Sequence, residues 1–110
     1  MKLSTMIRKI ENILNATNQE IINEFLICMN KNGPSEHHQN NNLKVVQTFD
    51  NFLDKGTSFY ETKRKVQISE FLDTKIKYHH EDPDEIWITT WNNYLNRIRL
   101  FYRWLLNHSN

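Results

Sequence analysis

The sequence predicts an all-α bundle, and three observations carry that prediction. Only two glycines and two prolines occur in 110 residues, too few for an all-β chain, which turns roughly every 8–12 residues. Apolar residues recur at spacings of three and four along most of the chain. Recognisable helix-start signals precede those stretches.

The elements follow in order. Residues 1–16 read as an N-terminal arm, with Met6, Ile10, Ile13 and Leu14 at helical spacing in a short helix that packs on the bundle. Thr17 to Glu20, "TNQE", has the form of a capping box, in which hydroxyl and carboxylate satisfy backbone N–H groups. A helix over residues 18–31 follows, with Ile21, Ile22, Phe25, Leu26 and Met29 on its apolar stripe and Asn32-Gly33-Pro34 as its stop.

Ser35 is the expected N-cap of a second helix, whose stripe is Val45, Val46, Phe49, Phe52 and Leu53 and which ends at Lys55-Gly56. Its first two turns, "EHHQNNN", are wholly polar. A shorter third helix over residues 62–75 carries Val66, Ile68, Phe71 and Leu72, with Ser58/Glu61 and Thr62/Lys63 as alternative starts. Asp82 as N-cap, Pro83 at the first helical position and Glu85 at the third open a fourth helix, which runs to Asn107.

Composition narrows the function classes. With 38% hydrophobic and 12% aromatic residues and a mean hydropathy of −0.73, the chain is a polar, foldable single domain. The start lacks the apolar run of a signal peptide, and nothing approaches the roughly 20 apolar residues of a membrane span. A cytoplasmic protein with no membrane partner is expected. The lone Cys28 reads as a small buried side chain. A net charge of +1 argues for no partner by itself, so the distribution of charge matters more. After Glu85 the chain holds Arg97, Arg99 and Arg103 and no acidic residue.

On a helical projection of the fourth helix, Trp87, Trp91, Tyr94, Leu95, Ile98, Phe101, Tyr102 and Leu105 form the core stripe. The other arc carries Thr89, Thr90, Asn92, Asn93, Asn96, Arg97, Arg99 and Arg103. Asn and Thr are mediocre helix formers, so helix stability does not explain them. They are, with Arg, the side chains that a helix in a DNA groove uses for bases and phosphates. A solvated helix face is the plainer alternative. Leu100 and Trp104 fit neither arc and suggest a docking patch. The start of the second helix offers a second polar set in His37, His38, Gln39, Asn40, Asn41 and Lys44, and Lys63, Arg64 and Lys65 are possible phosphate contacts.

Three segments together resemble a known family. "SEHHQNNNLKVVQTFDNFL" (35–53), "ISEFL" (68–72) and "YLNRIRLFYRWL" (94–105) are similar, in order and separation, to the N-terminal core-binding, or SAM-like, domain of tyrosine recombinases, the phage-type integrases. The stretch "WITTWNNYLNRIRLFYRWL" is most similar to archaeal members. The resemblance spans residues 17–107. His38 stands where the pattern usually has Thr, and Asn42 where it has an aromatic.

That resemblance implies a four-helix SAM-like core-binding domain over residues 17–110. It would bind duplex DNA sequence-specifically at a recombination half-site, its second and fourth helices entering the major groove. His38, Asn40, Asn41 and Lys44 on one helix, and Thr89, Thr90, Asn93 and Arg97 on the other, are the expected DNA contacts. Arg97 and Asn93 would read bases; Lys44, Thr89 and Thr90 would hold phosphates. The family's catalytic domain, with its Arg, Lys, His and nucleophilic Tyr, follows this domain and has no counterpart in these 110 residues. The chain is therefore expected to be non-catalytic and nucleoid-associated, with that catalytic domain and other DNA-bound protomers as partners. The alternative is a helical protein-interaction module that uses Leu100 and Trp104.

No cofactor or metal is expected. His37-His38 and His79-His80 are adjacent pairs, and neighbouring side chains on a helix diverge by about 100°, which does not suit chelation of one ion. Capping accounts for Asp82 and Asp84, and the chain has no Gly-rich loop to hold a phosphate substrate.

Overall fold

Polar side chains at the starts of three helices decide where those helices begin. The computed structural model describes residues 13, 15–32, 35–62 and 64–108. Among them are four helices and no strand: α1 (Ala16–Asn32), α2 (Glu36–Phe52), α3 (Arg64–Asp73) and α4 (Ile86–His108). The all-α expectation is met. Most of the N-terminal arm, including Met6, Ile10 and Leu14, and the Gly33-Pro34 stop lie outside the described residues. Ile13 is half-buried against the core.

The start of α1 corrects the expected capping box. Asn15, not Thr17, is the cap: its Oδ1 accepts from the Asn18 N–H at 3.0 Å, and Thr17 is an exposed residue inside the helix. Tertiary demand selects between two locally adequate caps. Asn18 is 1% exposed; its Nδ2 donates to Asp50 Oδ1 (2.9 Å) and to the Thr57 carbonyl (3.0 Å), and its Oδ1 accepts from the Phe59 N–H (2.8 Å). One buried amide thus ties α1 to α2 and to the loop after it. Asn15 reinforces the tie by donating to the Lys55 carbonyl at 2.9 Å.

Ser35 caps α2 as predicted, its hydroxyl accepting from the His38 N–H at 3.3 Å. The helix stops at Phe52, short of the expected Lys55-Gly56. Ser58 and Glu61 exchange backbone-to-side-chain bonds at 3.2 and 3.3 Å, but this box closes a turn, and α3 begins only at Arg64. Val66 is 56% exposed, off the Ile68, Phe71 and Leu72 stripe. Counted at 3.6 residues per turn, position 66 faces away from those three.

The fourth start is also corrected. Asp82 caps by accepting from the Trp87 N–H at 2.8 Å, five residues on, because residues 82–85 form a turn before the helix. Glu85 in that turn has φ 54°, a left-handed conformation that costs a non-glycine residue about 1–2 kcal/mol. The helix therefore opens at Ile86 rather than at Pro83.

These ends set the packing. Helix α2 lies against α1 and α4, α4 also packs on α1, and α3 is mounted on α4. The core between them is aromatic. Phe59, in the loop between α2 and α3 and wholly buried, packs edge-on to Phe101 (4.9 Å) and stacks on Phe49 (6.2 Å). Phe49 and Phe52 reach Phe71 at 5.2 and 5.4 Å, holding α3 to α2. Phe25 of α1 meets Phe101 and Trp104 of α4, both at 5.1 Å.

The half-buried Asp50 makes the Asn18 tie pH-sensitive. Burial pushes its carboxyl above the ordinary value of 3.8, and the Asn18 hydrogen bond partly offsets this. A raised pKa means that the folded chain binds this proton more tightly than the unfolded chain. Asp50's contribution to stability therefore falls as pH rises from 3.8 through the folded pKa. Asp50→Asn keeps an oxygen for Asn18 and removes the titration. Urea unfolding at about pH 4 and pH 7 should show the variant gaining on the natural sequence at the higher pH.

Candidate nucleic-acid interface

From residue 86 to residue 108 no side chain is acidic, and none is acidic between Glu36 and Asp50 on α2. These two stretches lie side by side, because α2 and α4 pack against each other. Ile98, Phe101, Tyr102 and Leu105 are the buried residues of α4, with Trp91, Tyr94 and Leu95 partly buried beside them. The helical repeat then places Thr89, Thr90, Asn93 and Arg97 along one flank of α4. Thr89 and Asn93 are exposed, while Thr90 and Arg97 are half-buried.

Arg97 joins that flank to α2. Its Nη1 donates to Asn42 Oδ1 at 2.7 Å, and its Nε donates to Asn93 Oδ1 at 3.0 Å. Asn42 is 5% exposed and donates from Nδ2 to Met29 Sδ at 3.5 Å. The amide that stands where the resembled pattern has an aromatic is thus buried between α1 and α4. The guanidinium needs an acceptor when partly desolvated, and the buried amide oxygen needs a donor, so each satisfies the other. Two of Arg97's five N–H donors are used, and three remain.

The opening turns of α2 are less free than their polarity suggests. Gln39, Asn42 and Gln47 are 6%, 5% and 6% exposed, so amides form part of the packed face there. Of the expected contacts, His38 and Lys44 are exposed. Asn41 is half-buried, with its Nδ2 3.1 Å from His37 Nε2. Asn40 is likewise half-buried, with its Oδ1 shielded from solvent, and four positions before Lys44 it lies on the same side of α2. Thr48 returns its hydroxyl to the Lys44 carbonyl at 2.7 Å.

Among the described residues no carboxylate pairs with Lys44, Arg97, Arg99 or Arg103; the ion pair found is His80 with Glu81 at 3.7 Å, on the exposed loop before α4. These cations therefore keep their charge unneutralised, though by the helical repeat Arg99 and Arg103 stand on the other side of α4 from Arg97. Lys65 is exposed, whereas Lys63 and the side chain of Arg64 lie outside the described residues.

The expectation that Leu100 and Trp104 both project from the core is corrected. Leu100 is 44% exposed, but Trp104 is half-buried against the core, its ring 5.1 Å from Phe25 and 6.0 Å from Phe101. Helix α1 crosses the later turns of α4 and widens the buried stripe to include position 104. A projection of α4 alone could not show that second neighbour. Among the described residues no three His, Cys, Asp or Glu side chains converge, and no helix is long and apolar enough to cross a membrane. Sequence reasoning had also missed Asn42, whose partner lies 55 positions away.

No protein-family model, curated protein or solved structure matches this chain.

Proposed function

We propose that this chain binds duplex DNA through the joined faces of α2 and α4, as the core-binding part of a site-specific tyrosine recombinase. The observation that carries the reading is the Asn42–Arg97–Asn93 bridge. It fixes an acid-free, hydrogen-bonding flank of α4 beside the polar start of α2. A polyanion is repelled by carboxylates and attracted by unpaired cations, so such a surface suits the phosphate backbone. Amides and guanidiniums on a helix also suit the base edges of the major groove.

In this reading Lys44, Thr89 and Thr90 hold phosphates, with His38 and Asn41 beside them. Arg97 and Asn93 read bases with the donors left after their mutual bond; a carboxamide oxygen has two lone pairs, so Asn93 can still accept a second bond. The bridge orders both side chains before DNA arrives and so reduces the entropy lost on binding. Asn40, four positions before Lys44, stands on the same side of α2 and joins these contacts. Strand cleavage belongs to a catalytic domain with which the chain cooperates, and other protomers on the same DNA are its further partners.

Binding to pooled duplexes, followed by fluorescence anisotropy over a salt series, tests the reading. Each neutralised phosphate adds about 0.9 to the log–log salt slope. Lys44→Ala should weaken binding on all sequences alike and reduce the slope by about 1. Absence of binding at low salt would contradict the proposal, and an unchanged slope would remove Lys44 from the contact.

A further inference from the structure

On the side of α4 away from Thr89 and Arg97, an open groove of about 430 Å³ runs between the end of α3 and the first turns of α4. Asp73, Ile76, Trp87, Ile88, Trp91 and Asn92 line it. Ile76 and Ile88 are 50% and 40% exposed. Trp87 and Trp91 are one helical turn apart and half-buried, so their indoles form adjacent parts of one wall. An apolar hollow with a few polar groups converging on it has the character of a binding site.

We propose that this groove receives an arginine side chain from a partner polypeptide. Asp73 is its one charged lining residue. Among the described residues the Asp73 carboxylate has no hydrogen bond or ion pair, and the Asn92 amide has none either. Nor does Asp73 serve its own helix: it is the last residue of α3, where the macrodipole disfavours negative charge. An apolar guest would desolvate that carboxylate without compensation. A guanidinium would instead pair with it and lie flat on an indole face. Arginine suits the groove better than lysine, because its plane stacks and its fork matches a carboxylate.

The neighbouring surface already shows this contact in a simpler form. Lys75 Nζ lies 4.8 Å from the Tyr94 ring centre and 5.4 Å from that of Phe71. The chain's own ammonium thus occupies one aromatic pair, and the two tryptophans present a second. The groove and the proposed DNA face lie on different flanks of α4, so both can be filled together.

The test is a two-dimensional NMR titration of the whole chain with N-acetyl-arginine amide and, separately, N-acetyl-leucine amide. The arginine probe should move the indole N–H signals of Trp87 and Trp91 saturably and leave that of Trp104 in place. Asp73→Asn, an exposed substitution that relieves an unfavourable charge, should weaken the arginine probe about fivefold and leave duplex affinity unchanged. The proposal is overturned if neither tryptophan responds, if leucine moves them equally, or if Asp73→Asn binds arginine as before. A parallel loss of duplex affinity in Asp73→Asn would assign the groove to the DNA surface and overturn it as well.

Discussion

Phe59→Ala should destabilise the chain by about 3–5 kcal/mol, the usual range for deleting a buried phenylalanine. That is a large share of the roughly 5–15 kcal/mol that holds a domain of this kind together. Phe59 is wholly buried between Phe49 and Phe101, so its ring joins α2 to α4 from a loop. Both its backbone groups are also used: the N–H donates to Asn18 Oδ1 at 2.8 Å, and the carbonyl accepts from the Tyr102 hydroxyl at 3.1 Å. Deleting the ring leaves a cavity inside a loop held by fixed hydrogen bonds, which limits its collapse. Urea denaturation followed by circular dichroism gives the number. A loss under about 1 kcal/mol would mean that the loop is not part of the core.

Arg97→Ala should act twice. It leaves the Asn42 oxygen, in a residue 5% exposed, without its 2.7 Å donor, at a cost to stability of about 1–3 kcal/mol. It should also lose about 1–3 kcal/mol of duplex affinity if the side chain reads a base. A second substitution separates the two effects. In an Asn42→Leu background no buried amide is left to orphan, so Arg97→Ala should cost much less stability there. The DNA term should persist. The double-mutant cycle measures the difference. Equal stability losses in both backgrounds would show that the bridge contributes nothing to the fold, and unchanged affinity in both would remove Arg97 from the DNA contact.

Where local chemistry sufficed, the sequence was readable. The Ser35 cap and the apolar stripes of α1 and α4 depend on residues within a few positions of one another, whereas the Ser58/Glu61 box closes a turn and does not open α3. Tertiary choice was not readable in that way. Thr17 and Asn15 are both sound caps, and Asn15 caps α1 where Asn18 is drawn into Asp50, Thr57 and Phe59. Asp82 was identified as a cap, but the left-handed Glu85 beside it displaces the helix start by three residues. Phe59 lies in a turn, outside any periodic pattern, so its burial left no trace that a stripe could reveal.

The candidate surface divides along the same line. Arg97 and Asn93, four apart, had to share a face, and they do. That Arg97 reaches Asn42, and that Gln39 and Gln47 are buried amides rather than free polar groups, depends on how α2 lies against its neighbours. The groove beside Trp87 and Trp91 arises from α3 ending next to the start of α4, and neither helix shows it alone.

NMR chemical-shift mapping during titration with duplex DNA at about 50 mM salt tests the proposed DNA face most directly. Backbone and side-chain signals of His38, Asn40, Asn41, Lys44, Thr89, Thr90, Asn93 and Arg97 should move together and return as salt is raised. Shifts confined to the opposite flank at Ile76, Ile88 and Trp91, or no shifts at any salt, would contradict it.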